Sequence, residues 1–200
     1  KRYDKESNGI DKPCTQLFLL GILTLLVIFL SIKSPFFLTW TNIRNILDHS
    51  SLQLIMAIGM TFVISSGGID LSVGSVVALT GICIGLLLKG GVSVVLSSII
   101  GVLIGGILGT FNGIIISKLK IAPFIVTIGS MSLYRGLSLV ITEGMPIYGF
   151  PTQFTYFGKG DLGKVNPPII LAISMVILSV FLLKYTKWGQ YTLALGGNEE

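Results

Sequence analysis

The sequence predicts an all-α, polytopic transmembrane bundle of about six spans, with a broken helix at a Gly-Gly pair between the second and third. Three observations carry that prediction. Of 200 residues, 52% are hydrophobic and only 12% charged, against roughly 25% charged in an ordinary soluble domain. The apolar residues fall in runs, several of which approach the about 20 residues that a helix needs to cross a hydrocarbon core. Finally, the stretch SSGGIDLSVGS at 65–75 sets two glycines, an acid and serines where that apolar pattern leads one to expect hydrocarbon-facing residues.

The elements follow in order. Residues 1–15 form a polar tail carrying Lys1, Arg2, Lys5 and Lys12, and a first helix is expected from Gln16 to Ile32. That run is too long for a signal-peptide core and has no small-residue cleavage site after it. Phe36, Phe37 and Trp40 in SPFFLTWTNIRN are the aromatic signature of a membrane interface, so this segment should lie along one surface. Further spans are expected at Leu52–Ile64, Leu71–Leu88, Val92–Ser117, Ala122–Ile141 and Pro168–Tyr185. Residues 142–167 hold Pro146, Pro151 and several glycines and read as an extracytoplasmic loop with room for a short surface helix.

Six spans place both ends on one side. With the N-terminus inside, Lys1, Arg2, Lys5, Lys12, Lys118, Lys120, Lys184 and Lys187 are cytoplasmic, against Lys33, Arg44, Lys89, Lys159 and Lys164 outside. Eight against five favours a multi-pass protein of the cell membrane with a cytoplasmic N-terminus. The net charge of +5 is scattered between apolar blocks, unlike the clustered basic face of a nucleic-acid binder. Cys14 and Cys83 are expected to be free thiols, His49 is expected at the interface, and no Cys/His set has metal-ligand spacing.

In the fourth run Gly101, Gly105, Gly109 and Gly113 recur every four residues. They line one helix face and allow a neighbouring backbone to approach, as packing in lipid requires. Gly81 and Gly85 repeat the spacing in the third run. The loop sequence GKGDLGKV, Gly158 to Val165, matches a phosphate-binding loop except at its last position. Val165 lacks the hydroxyl that magnesium needs, and the strand-to-helix context is missing, so the chain itself is not expected to bind nucleotide.

Gly67 and Gly68 let the chain end one helix and begin another within the membrane. Asp70 is then expected in the first turn of the third span with Ser72 close behind. Two roles are open to Asp70, a buried helix cap and a polar group on a transport path. Asn112, in the glycine-rich run, has the corresponding choice between hydrogen bonding across helices and contacting a solute. Arg135 either snorkels to the interface or joins the path.

The run GGIDLSVGSVVALTG, with Gly67, Gly68 and Gly74, closely resembles the signature of permease subunits of ribose-type sugar ABC importers. The same resemblance continues through GTFNGIIISKLKIAPFIVTIGSMSLYRGLSLVITEGMPI and TKWGQYTLALGGNEE, covering nearly the whole chain. It implies a translocation subunit for ribose, xylose, arabinose, galactose or a related solute, and not an enzyme. The implied partners are a cytoplasmic ABC ATPase holding ATP and magnesium, an extracytoplasmic sugar-binding protein, a second permease subunit and membrane lipid. It also implies that residues 1–200 are the N-terminal part of one permease domain, ahead of further helices. Asp70, Ser72, Asn112 and Arg135 become the candidate pathway residues, and segment 186–200, with Gly196, Gly197, Asn198, Glu199 and Glu200, the candidate ATPase contact. There the glycines are expected to turn the chain and the acids to open a following helix. The competing class is an ion-driven secondary transporter, which also uses broken helices and a membrane acid.

Overall fold

The computed structural model describes residues 12–160 and 165–197, of which 12–14, 159 and 197 are described by their backbone alone. Among these residues all regular structure is helical: α1 (Lys12–Lys33), α2 (Trp40–Ser65), α3 (Val73–Lys89), α4 (Val94–Leu119), α5 (Pro123–Thr142), α6 (Thr152–Lys159), α7 (Pro167–Tyr185) and α8 (Lys187–Gly197). α1, α2, α4, α5 and α7 are long and apolar enough to span a bilayer. The polytopic helical prediction therefore holds, and α3 supplies a sixth, shorter apolar helix of 17 residues. At 1.5 Å per residue that is about 25 Å, the low end for a span.

The described residues divide at Leu47/Asp48 into two compact units. The first contains α1, apolar on every face as a lipid-facing helix is, and the first turns of α2. There the backbone N–H of Asn42 donates to Thr39 Oγ1 (3.4 Å), and the Asn42 side chain donates to the Phe37 carbonyl (2.8 Å). These contacts start α2 at Trp40, a dozen residues before the apolar run expected at Leu52. The aromatic segment thus feeds directly into a helix, because capping, not hydropathy, sets where a helix begins.

The second unit is built on α3, α4 and α5, which pack on one another. Each boundary has a local cause. Ser93 caps α4 by accepting from the Leu96 N–H (3.4 Å), and Pro123 opens α5 at the first helical position, where its fixed φ and missing donor cost nothing. α3 ends with Gly91 at φ 81 and the Val92 N–H donating to the Leu87 carbonyl (3.0 Å), a left-handed Schellman closure. A Cβ at Gly101 would run into the Ile84 side chain, and one at Gly105 would lie 3.6 Å from Thr80. These two glycines bring α4 against α3.

At the end bearing Gly91, the segment after α5 folds back over α3, where a Cβ at Gly85 would lie 3.2 Å from the Phe150 ring. The expected surface helix in this loop is α6. Asn166, just ahead of α7, donates from its side-chain nitrogen to Asp48 Oδ2 on α2. In the phosphate-loop look-alike, Gly158 and Lys159 end α6 and residues 161–164 lie outside the described residues.

Candidate functional site

The site begins at the end of α2. The Gly67 N–H donates to the Ile64 carbonyl (3.0 Å) and the Gly68 N–H to the Val63 carbonyl (3.0 Å), while Gly67 adopts φ 81. This is a Schellman closure whose left-handed position suits glycine. Gly68 is hemmed in, since a Cβ there would lie 3.3 Å from Val63 Cγ1 and 3.8 Å from Pro123. Gly74 lies in the first turn of α3 and meets nothing within 4 Å.

Asp70 stands ahead of α3, not in its first turn as expected from the sequence; the helix starts at Val73 with Ser72 as its N-cap. Its carboxylate oxygen Oδ1 accepts from both the Ser72 N–H and the Ser72 hydroxyl, each at 2.7 Å. The acid thus closes an Asx turn on its neighbour and leaves the helix N–H groups alone. From Ser72 the hydrogen bonds continue across the bundle. Asn112 Nδ2 on α4 donates to Ser72 Oγ (3.0 Å), and Asn112 Oδ1 accepts from the hydroxyls of Ser130 (2.5 Å) and Tyr134 (3.3 Å) on α5. Thr127 Oγ1 donates to the Ile69 carbonyl in the broken stretch (3.3 Å).

Ser72, Asn112, Thr127, Ser130 and Tyr134 are all buried. Buried polar groups in a bilayer are expensive unless paired, and here one asparagine uses both its donor and its acceptor to join three helices. Beside this chain lies a cavity of about 710 Å³, walled by Gly67, Gly68, Asp70, Gly109, Asn112, Gly113, Lys120 and Thr127 among others. Its volume falls within the roughly 300–1,000 Å³ of small-molecule sites. Gly109 and Gly113 open onto this space and meet no neighbouring helix within 4 Å. The packing role expected of four glycines is therefore seen at Gly101 and Gly105 among the described residues.

Of the candidate pathway residues, the structure brings Asp70, Ser72 and Asn112 together. Arg135 sits on the exposed face of α5, outside both the hydrogen-bond chain and the cavity wall. Thr127, Ser130 and Tyr134 were not singled out in the sequence, although their spacing of three and four repeats one face of an apolar helix. Gly196 lies within the last turn of α8, not in a turn of its own. Asn198, Glu199 and Glu200 lie outside the described residues.

Known proteins similar to the chain are membrane permeases. It is 46% identical over 181 residues to the ribose import permease protein RbsC of Bacillus subtilis, a stretch covering 89% of this chain and 56% of that one. It is 36% identical over 183 residues to the D-allose transport system permease protein AlsC of Escherichia coli (91% and 56% covered). It is also 36% identical over 181 residues to the L-arabinose ABC transporter permease protein AraH of Azospirillum brasilense (90% and 53%). The chain thus spans about half the length of the curated relatives it matches. No solved structure gives a significant match. The family described as branched-chain amino acid transport system / permease component matches residues 42–200, and the chain belongs to that family.

Proposed function

We propose that this chain is the translocating part of a binding-protein-dependent ABC importer that carries a sugar such as ribose across the cytoplasmic membrane. The observation that supports the reading most directly is the cavity of about 710 Å³ beside a buried chain of neutral hydroxyl and amide groups anchored by Asp70. A sugar offers hydroxyls that both donate and accept, and the wall carries polar side chains in Asp70, Asn112 and Thr127, of which Asp70 is half-buried and the other two are also hydrogen-bonded within the fold. Relatives at 36–46% identity are named for ribose, allose and arabinose transport, which supports a sugar as the solute.

The cavity opens among the α2–α3 break and the α4–α5 turn, with Lys120 on its wall and Lys118 in the last turn of α4. By the positive-inside rule this end faces the cytoplasm, as does the N-terminus. The chain would supply the path and no bond chemistry. A separate ATPase with ATP and magnesium would drive it, an extracytoplasmic binding protein would deliver the sugar, and a second permease subunit would complete the channel.

The test uses the full-length permease with its ATPase and binding protein in sealed proteoliposomes, following labelled ribose, allose and arabinose. Uptake of at least one sugar should require ATP and the binding protein and survive collapse of ion gradients. Uptake driven by a gradient alone would reject the ABC reading in favour of secondary transport.

A further inference from the structure

The hydrogen bonds that tie α3, α4 and α5 together all run in one direction, and the count of donors and acceptors fixes which. The Ser72 backbone N–H donates to Asp70 Oδ1, and the Ser72 hydroxyl directs its single hydrogen at the same oxygen (both 2.7 Å). Toward Asn112, 3.0 Å away, Ser72 Oγ can then only accept. The group of Asn112 that faces it is therefore the amide nitrogen, which turns Oδ1 toward α5. There the Tyr134 hydroxyl lies against Asn112 Oδ1 and the Leu108 carbonyl, and the Ser130 hydroxyl against Asn112 Oδ1 and the Val126 carbonyl. Both hydroxyls meet acceptors alone and so donate, and between them they hold Oδ1 on the α5 side. Were the amide turned over, its oxygen would oppose Ser72 Oγ with no hydrogen between them, an unmet and costly contact in a buried site.

Two groups are left over. Asp70 is half-buried, and its Oδ2 accepts no hydrogen bond among the described residues. Asn112 keeps one N–H of Nδ2, the other being directed at Ser72. Both residues line the cavity and both bond to Ser72 Oγ, so an acceptor and a donor stand on either side of one shared neighbour. That is the pair an alcohol hydroxyl needs, since it donates one hydrogen and accepts another. We propose that Asp70 Oδ2 and the second N–H of Asn112 form a hydroxyl-binding subsite for a neutral polyol. Ser130 and Tyr134, neither of which is on the cavity wall, are the positioning residues that hold the Asn112 amide in its donating orientation. This rests on the sugar-transport reading above.

The test measures sugar binding to the full-length permease in complex with its ATPase, purified in detergent and followed by saturation-transfer NMR with no binding protein present. The probes are ribose and a set of its singly deoxygenated analogues. In the wild type the analogue that lacks the bound hydroxyl should bind about five- to tenfold more weakly than ribose, as loss of such a hydrogen-bonded group implies. Combining Ser130→Ala with Tyr134→Phe should close that gap to within about twofold. A purely structural role would weaken every sugar together and leave the gap in place. If the double variant is not recovered from membranes, Tyr134→Phe alone, which keeps the ring, should narrow the gap by about twofold. An unchanged gap in the recovered variants, or a wild type that binds all the sugars alike or none, would overturn the proposal. ATP- and binding-protein-dependent uptake by the same wild-type complex in proteoliposomes would then leave the transport reading standing, and its absence for every sugar would reject both.

Discussion

Asp70 shows how one side chain serves local structure and site together. Its Oδ1 takes two hydrogen bonds from Ser72, which is fully buried. An asparagine at this position keeps a carbonyl oxygen and loses only the charge. We therefore expect Asp70→Asn in the full-length permease to retain uptake within about threefold, since neutral acceptors still form hydrogen bonds, though weaker ones. Asp70→Ala strands the Ser72 donors and should destabilise the fold by about 1–3 kcal/mol, with uptake falling accordingly. Thermal denaturation and uptake on the same preparations check both. Equal loss in Asn and Ala would mean that the charge itself is required, as an ion site would demand. Asn112 carries a different lesson, for its residue type marks it as polar glue in a span, but the sequence does not show that Ser72, Ser130 and Tyr134 are its partners.

Between elements, close approach is governed by what glycine omits. At Gly101 a side chain would collide with Ile84 on α3, whereas Gly113, three repeats along, faces the cavity. Gly101→Leu should cost about 1–3 kcal/mol as an overpacked contact. Adding Ile84→Ala should recover part of that loss, with an interaction energy of about 0.5–3 kcal/mol, as expected for residues sharing one space. Denaturant unfolding of the solubilised full-length permease checks this, and additive losses would count against the α3–α4 contact. The four-residue spacing of the glycines was legible in the sequence; which of them meets a helix was not, because that depends on where α3 ends and the broken stretch begins. α5 is similar: the spacing of Thr127, Ser130, Tyr134 and Ser138 marks one face by periodicity, whereas their burial against neighbouring helices is set by the tertiary structure.

For the whole molecule, alternation of the spans sets which turns share a membrane side. The 120–122 turn borders the cavity beside residues 66–70, while Lys89 Nζ lies 3.3 Å from where a Gly149 Cβ would be, at the other end of α3. In a full-length permease with its native cysteines replaced, Lys120→Cys should react with a membrane-impermeant maleimide only when the cytoplasmic side is opened. Tyr148→Cys should react on intact cells. The reverse pattern would invert the orientation inferred from charge.

The sequence alone determined the helical membrane class and the limits of most spans, since lipid forces apolar runs of a set length to be helices whatever surrounds them. It also determined the break at 66–72, because glycine enters the left-handed region that such a closure needs at the least steric cost. The start of α2 at Trp40, the place of Asp70 ahead of α3, and the joining of Asn112 to two neighbouring helices were decided by the tertiary structure. So was the seat of α8 on the α2 end. These depend on which residues far apart in the chain come within hydrogen-bonding or contact distance, and a local pattern of hydropathy and spacing carries no record of that.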